Sequence, residues 1–503
     1  MQLRHFIDSL DLFPMSAQVP LTLKAQRPCR YCASRKQGCD RLLPNCSRCT
    51  SKFLTCNYSV SRDGHVIALQ NEAPVQKNDL VEIRGSCSPD LSTKGESLLF
   101  RLVCDSDRED GEYDGASSLS ELLFKTLGAF DIDIPNLLDS YFASVHRWLP
   151  VLREEDVRQK CAHLENDKHG HVARLLLTFY VVVQFPCDHA AHSMNTRLYR
   201  TLKRLFVITQ SSPGIKDLDL LQYGLLLGAY ECSQGLESAY NTLNLCVSLA
   251  RMVEVQSYKS NALDSKDPEE RLLCGYALVA LDRLIAVSSM DYCLPLLLPD
   301  PQSFPLIEEH DLELDEKLKA YGYTGRMRIT ATVARLVSDT LTFLRCCQLG
   351  RTQQADYVAV DSSAQDSLGK LLRLSENKAF LNCEPTSMAI STLMALRSSH
   401  DRRRSGPRDS KDATALRSIA SMTLEMCLSA SDFIRYHGIE NLSFIGLCCV
   451  WRAALPLVSF KEFQISTKEL ETLRSELRRF SSCWAIGVTF LQHFDELVDL
   501  RNL

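Results

Sequence analysis

Near the N-terminus, six cysteines repeat one spacing twice, and this pattern constrains the chain more than any other feature. The first half reads C-x2-C-x6-C, and the second half repeats it with each cysteine 17 residues after its counterpart. The six are Cys29, Cys32, Cys39, Cys46, Cys49 and Cys56. The repeat predicts two half-modules related by a pseudo-twofold axis.

Thiolates without histidine favour zinc or an iron–sulfur cluster as the bound metal. One tetrahedral zinc ion uses four sulfur atoms and leaves two cysteines idle, whereas two zinc ions need eight coordination positions. Six thiolates supply eight positions when two of them bridge both metals, and the symmetric bridges are Cys29 and Cys46. A disulfide knot would need a secretory context, and a ferredoxin-type cluster would have a different spacing. We therefore predict two Zn²⁺ ions held by the six cysteines.

The same segment concentrates positive charge. Residues 24–60 contain eight basic side chains and one acid, Asp40, so they carry +7 while the whole chain carries −5. The remainder therefore carries −12, a split typical of a basic module attached to an acidic body. No signal peptide is visible, and no apolar stretch approaches the roughly 18 residues of a membrane span. These features predict an intracellular protein without a membrane span.

The segment from Cys29 to Asp40, CRYCASRKQGCD, resembles the first half of the fungal Zn2Cys6 binuclear zinc-cluster transcription factors. Pro44, two residues before Cys46, matches the proline of the loop that joins the two halves, and Cys56 closes the pattern. The resemblance implies that a short helix after the first cysteine pair enters the DNA major groove.

The resemblance also implies roles for the basic side chains. Lys36, three residues before the third cysteine, would read the guanines of a CGG triplet, with Arg35 beside it. A basic side chain that donates to guanine O6 and N7 makes the commonest specific contact in the major groove. Arg30, Arg48 and Lys52 would contact phosphates, which position a protein without reading sequence. The alternative is that these three are solvated surface charges.

Two positions depart from the family pattern. Relatives usually carry a basic residue directly after the second cysteine and another directly before the third, where this chain has Ala33 and Gly38. Two electrostatic contacts with DNA are therefore missing. A zinc-cluster protein that acts through protein partners without DNA is the alternative that these positions keep open.

We expect an all-α protein with a small N-terminal Zn2Cys6 cluster module, a linker and a large multi-helix regulatory domain. The expected parts are a disordered tail (1–26), the DNA-binding module (27–60), a linker with an acidic segment (61–133), a helical regulatory domain (134–395), a basic loop (396–413) and further helices of that domain (414–503). The acidic run 105–114 is either a solvated loop or, with Leu122, Leu123 and Phe124, an activating segment.

Apolar residues at helical spacing predict the large domain. Three stripes carry the prediction: Leu138, Phe142, Val145 and Leu149; Leu218, Leu221, Leu225 and Gly228; and Leu273, Ala277, Ala280, Leu284 and Val287. Residues 141–152 resemble the opening of the fungal-specific transcription factor regulatory domain, and 270–273 with 281–283 resemble a later helix of it. The cysteines outside the module have no C-x2-C spacing and are expected to be buried small side chains.

The resemblance implies a sequence-specific DNA-binding transcription factor that regulates RNA polymerase II genes in the nucleus, and we expect no catalytic site. We favour a pathway-specific regulator of a fungal secondary-metabolite gene cluster, with a regulator of nutrient-utilisation genes as the alternative. An all-α metal-dependent enzyme is disfavoured, because the acid-rich run 105–114 contains Gly111 and lies in apparent linker.

The expected partners are DNA duplexes with CGG-type triplets and the transcription machinery or coregulators. No heptad repeat follows Cys56, so nothing local fixes two modules at a set spacing. Any homodimer is therefore expected to form through the helical domain.

Overall fold

In a computed structural model, the chain divides into two compact units. One comprises Leu10–Glu82, and the other comprises Ile83–Leu503 together with Met1–Ser9. Within the first unit the structure describes residues 28–29, 32–33, 35, 37–41, 46 and 48–49. Within the second it describes 115–164, 167, 170–183, 197–210, 217–259, 268–289, 294–298, 322–351, 354–376, 383–403, 410–439, 442–460 and 463–502.

All regular structure in these ranges is helical, which confirms the predicted all-α class. The first eight helices of the second unit are α1 (Gly115–Ala129), α2 (Ile134–Ala143), α3 (Glu154–Ala162), α4 (His171–Val183), α5 (Arg197–Thr209), α6 (Asp217–Ser233), α7 (Ser238–Lys259) and α8 (Pro268–Ser288). The next eight are α9 (Gly322–Leu336), α10 (Ser338–Gln348), α11 (Gln354–Glu376), α12 (Cys383–Arg403), α13 (Ser410–His437), α14 (Phe444–Ser459), α15 (Thr467–Cys483) and α16 (Ile486–Asn502). A 3₁₀ turn, Val145–Arg147, follows α2.

Local sequence signals set several helix starts. Asp133 caps α2, because its carboxylate accepts the backbone N–H of Asn136 at 3.4 Å. At the start of α15, Ser466 and Glu469 form a reciprocal capping box. Between α6 and α7 the chain reverses at Gly235, whose φ of +66° favours glycine. These caps satisfy backbone groups that the helix ends leave unpaired.

The core of this unit is apolar and continuous, and it confirms the predicted helical stripes. Leu138, Phe142, Val145 and Leu149 are all buried, and Leu273 and its four stripe partners are buried as well. Gly228 lies in the second stripe, where a Cβ would come within 2.8 Å of Leu243 Cδ2, so glycine permits the close contact of α6 with α7. Tyr141 stacks on Phe179 with the ring centroids 3.7 Å apart.

The predicted linker 61–133 extends too far. Helix α1 occupies its last part, and Leu122, Leu123 and Leu127 are buried in the core. Because Leu122 and Leu123 pack inward, they are not available to an exposed activating segment. The acidic run 105–114 itself lies outside the described residues, as does the predicted tail 1–26.

The predicted basic loop 396–413 is also too long. Helix α12 continues to Arg403, and α13 begins at Ser410. Contacts with α11 support the polar end of α12: Arg397 pairs with Asp361 at 3.1 Å, and His400 stacks on Tyr357 with centroids 3.7 Å apart. The polar run lacks an apolar stripe, and its helix depends on these side-chain contacts with a neighbouring helix.

Buried charges tie separate helices of this unit together. Glu231 on α6 is fully buried; its carboxylate pairs with Lys203 at 2.8 Å and accepts the hydroxyls of Tyr199 at 2.5 Å and of Thr242. These partners come from α5 and α7, so one carboxylate joins three helices. A buried charge needs such compensation, because an unpaired one costs several kcal/mol, about 3–5 when one partner is removed.

A second buried pair fixes the segment 294–298. Arg283 on α8 pairs with Asp282 at 2.6 Å and donates to the carbonyl of Leu298 at 2.6 Å. Asp282 accepts the backbone N–H groups of Leu297 and Leu298 at 3.0 and 3.1 Å. Burial raises the pKa of the Asp282 carboxyl, although Arg283 and these N–H groups oppose the shift.

Candidate metal centre and nucleic-acid interface

The described cysteines of the repeat come together in space. The sulfur atoms of Cys29, Cys32, Cys39 and Cys46 all lie within 4.8 Å of one another. The Cys49 sulfur lies 3.7 Å from that of Cys29 and 3.9 Å from that of Cys32. None of the five is in a disulfide. Cys56 lies outside the described residues, and its place among the ligands stays a prediction.

Short turns place the thiols. The N–H of Ala33 donates to the Cys29 carbonyl at 2.9 Å, and the Cys32 N–H points to the Cys29 sulfur at 3.4 Å. Helical residues occur at Cys32 and, in the second half, at Cys49. The second cysteine of each C-x2-C pair therefore lies in a helical turn, as the internal repeat predicts.

Four of the thiols are completely shielded from solvent. Cys29, Cys32, Cys46 and Cys49 have no exposed surface. Burial, together with hydrogen bonds to Cys29 and Cys46, raises the pKa of the Cys32 thiol to about 12, although the contact with Cys49 opposes the shift. Thiolates at such a site need a positive charge beside them, and a metal ion supplies it.

The donor set fits zinc. Soft sulfur ligands without histidine suit Zn²⁺, which takes four of them in a tetrahedron. Sulfur–sulfur separations of 3.7–3.9 Å match the edge of a tetrahedron with Zn–S bonds of about 2.3 Å. Within the described ranges, this cluster is the group of His, Cys, Asp and Glu side chains close enough to share a metal.

The predicted DNA contacts are described only in part. Arg35 is exposed and lies in the loop that follows Cys32. A hydrogen bond from the Gln37 N–H to the Cys32 carbonyl, 2.9 Å long, closes that loop. Arg48 is half-buried in the helical turn beside Cys49. Lys36, Arg30 and Lys52 lie outside the described residues, so their roles stay predictions.

The described cysteines of the helical unit are mostly buried, as predicted for small apolar side chains. Burial raises the pKa of the Cys427 and Cys448 thiols to about 12. Such thiols stay protonated and unreactive near neutral pH. Cys161 is half-buried, and burial raises its pKa to about 11.

Comparison with known protein families gives a match within the first unit. Residues 27–64 match the family model of the fungal Zn(2)-Cys(6) binuclear cluster domain. No curated protein and no solved structure matches the chain. The match covers the module and not the helical unit.

The matched domain binds two zinc ions through six cysteines, which agrees with the predicted cofactors. It indicates DNA binding and a transcription factor, not a family of enzymes. In the helices that the structure describes, none is long and apolar enough to cross a membrane.

Proposed function

We propose that this protein is a sequence-specific transcription factor that acts in the nucleus on RNA polymerase II genes and recognises CGG-type triplets. The observation that carries the proposal is the cluster of buried thiols inside a segment with a net charge of +7. A rigid zinc-bound module with surrounding cations suits the phosphate backbone, which attracts Lys and Arg electrostatically. All six cysteines are the proposed zinc ligands, with Cys29 and Cys46 bridging.

The base-reading role falls to Lys36, with Arg35 beside it. Arg35 lies in the loop that the Cys32–Gln37 hydrogen bond closes, and this loop begins at a buried cysteine. Lys36 is the next residue in the sequence. A loop anchored in this way loses little conformational entropy when its basic side chains bind. Arg30, Arg48 and Lys52 are the proposed phosphate contacts.

Binding of the full chain to duplexes with and without a CGG triplet tests this proposal. Lys36→Ala should cost about 1–3 kcal/mol on the CGG duplex and much less on a random duplex. The matched control is Arg204→Ala, which removes an exposed cation from α5 in the helical unit. Equal losses on both duplexes would mean that Lys36 touches only phosphate.

A chain that binds no duplex, while its zinc content is intact, would contradict the DNA-binding proposal. Ala33 and Gly38 stand where the family pattern has basic residues, and they keep open the alternative of a zinc-cluster protein that acts through protein partners. Co-purification with coregulators in the absence of DNA binding would then be the expected result.

We further propose that the helical unit is the fungal-specific regulatory domain and that any homodimer forms through it. Sedimentation of the full chain and of residues 1–100 separates the possibilities, because the fragment should be monomeric. A stable dimer of the fragment would contradict this proposal.

The favoured biological role is a pathway-specific regulator of a biosynthetic gene cluster. The order of a cysteine module followed by a long helical unit supports a regulator, and the resemblance of 141–152 to the regulatory domain supports it too. Deleting the gene should lower or raise transcripts of adjacent biosynthetic genes. A response confined to nutrient-utilisation genes elsewhere in the genome would favour the alternative.

A further inference from the structure

Helix α5 differs in charge from the chain around it. It contains four basic side chains and no acidic one, whereas the chain outside residues 24–60 carries −12. The buried Glu231 compensates Lys203 at 2.8 Å. Arg200 and Arg204, one helical turn apart, are exposed, and neither forms an ion pair with the residues that the structure describes. Two uncompensated cations therefore lie on the surface of an otherwise acidic part of the chain.

Helix α7 runs beside α5 in the same direction. The Tyr199 hydroxyl lies 3.3 Å from the Ser238 hydroxyl, and Lys203 donates to the Thr242 hydroxyl. Both pairs join residues that are 39 positions apart in the sequence. A constant offset between contacting residues is a property of parallel helices. Two packed helices leave a groove along their outer side, because side chains form ridges on each helix.

This groove combines cationic and apolar side chains. Val207 follows Lys203 by four residues and Leu245 follows Thr242 by three, which rotates them by about +40° and about −60° around their helix axes. Since the two parallel helices face each other, these opposite rotations bring Val207 and Leu245 to the same side. Met252 lies two turns beyond Leu245, and Val207 and Met252 are 49% and 50% exposed. The α5–α7 groove is defined by Arg200, Arg204, Val207, Leu245 and Met252.

The side chains of the α5–α7 groove favour one kind of occupant. A groove between two helices accepts a third helix that lays its apolar side chains into it. Arg200 and Arg204 on one wall favour carboxylates beside those apolar side chains. Exposed charges are screened beyond about 10 Å at 0.1 M salt, so a short acidic helix meets mainly these two cations. A DNA duplex or an anionic membrane covers more of the surface, and the acidic remainder of the chain repels it.

We propose that the α5–α7 groove is the docking site for an acidic amphipathic helix of a coregulator. The inference rests on the proposed function and deepens it, because it gives the coregulators of a transcription factor a surface on the helical unit. None of the residues that define the groove belongs to the cysteine module. Peptide docking and DNA binding can therefore be measured independently.

Fluorescence anisotropy with the full, zinc-loaded chain tests the proposal. The probe is a labelled synthetic peptide of about 20 residues, with leucine repeating at i, i+3, i+4 and i+7 and glutamate elsewhere. The double variant Arg200→Gln and Arg204→Gln should weaken its binding by about fivefold at low salt, and high salt should remove the difference. Val207→Ser should weaken binding by about threefold at both salt concentrations, because an apolar contact is not screened.

The chain and the probe each offer a matched control. Arg251 is exposed and follows Thr242 by nine residues, so it lies half a turn away from the side of α7 that contacts α5. Arg251→Gln should therefore leave binding of the peptide unchanged. A peptide with lysine in place of every glutamate should bind about tenfold more weakly than the acidic one, since Arg200 and Arg204 would repel it.

Four results would overturn the proposal. Three concern affinity: no binding of the acidic peptide, equal affinity of the double variant and the wild-type chain, or equal affinity for the lysine peptide. The fourth is a changed sedimentation of the double variant, which would assign the groove to a second copy of the chain. Failure of the proposed function is recognised separately, because the wild-type chain would then bind no CGG duplex while its affinity for the peptide is still measured.

Discussion

The cysteine module and the helical unit are stabilised in different ways. Among the described residues of 28–49, every fully buried side chain is a cysteine, whereas the helical unit buries Leu, Val, Phe and Trp in one continuous core. A domain of about 40 residues buries too little apolar surface to fold alone, so metal ligation supplies the free energy. The comparison teaches that metal ligation takes the place of an apolar core in the module, whereas the helical unit has an apolar core of its own.

Removing zinc should have the largest effect, because the module should unfold while the helical unit stays folded. Structural zinc contributes on the order of 10–16 kcal/mol to small modules of this kind. We expect a chelator to unfold the module, so that proteases cut within 27–64, while the far-ultraviolet circular dichroism of the helices persists. Elemental analysis of the purified chain should give two zinc ions.

Cys29→Ser should lower the zinc content, and Cys427→Ser, which alters a buried thiol of the helical unit, should leave it at two. One zinc per wild-type chain would contradict the arrangement in which Cys29 and Cys46 bridge. Loss of helical signal with the metal would contradict the separation of the two stabilising mechanisms.

The next largest effect concerns the buried charge of the helical unit. Glu231→Ala leaves Lys203 without its carboxylate partner and should destabilise this unit by about 3–5 kcal/mol. Denaturant unfolding monitored by circular dichroism measures the change, and the zinc content should not move. Glu237→Ala is the control, since Glu237 is exposed. Equal stability of the two variants would show that the network contributes nothing.

A smaller effect on stability is expected at a closely packed glycine of the helical unit. A Cβ on Gly487 would lie 2.7 Å from the Cα of Ser481, a backbone atom that cannot move aside cheaply. Gly487→Ala should therefore destabilise the helical unit by about 1–3 kcal/mol. Gly128→Ala is the control, because a Cβ there meets nothing within 4 Å. A neutral result at Gly487 would mean that the contact between α15 and α16 relaxes freely.

The smallest effect is expected at Gly38 in the module. A Cβ on Gly38 meets nothing within 4 Å, and its φ is not in the left-handed region. Gly38→Lys should thus leave zinc binding intact and steepen the salt dependence of DNA binding by about 0.9 per new phosphate contact. Gly38→Gln, of similar length without charge, should leave the slope unchanged. Loss of zinc from either variant would show that this glycine is structural.

The helix boundaries show where sequence reasoning failed. Leu122, Leu123 and Leu127 follow an acidic run that is typical of a linker, yet these leucines pack into the core. The end of α12 is polar and is held by Asp361 and Tyr357 of α11. Contacts between residues some 40 positions apart in sequence leave no periodic signal, so they could not be predicted.

The sequence by itself determined the chemistry of the first unit and the class of the second. The cysteine ligands of the module lie close along the chain, so their spacing alone defines the metal, and a repeated apolar stripe defines a helix that must pack. Only the tertiary structure decided which charges are buried together, such as Glu231 with Lys203 and Arg397 with Asp361. The physical reason is that such pairs form between helices that are separate in the sequence, so no local sequence pattern predicts them.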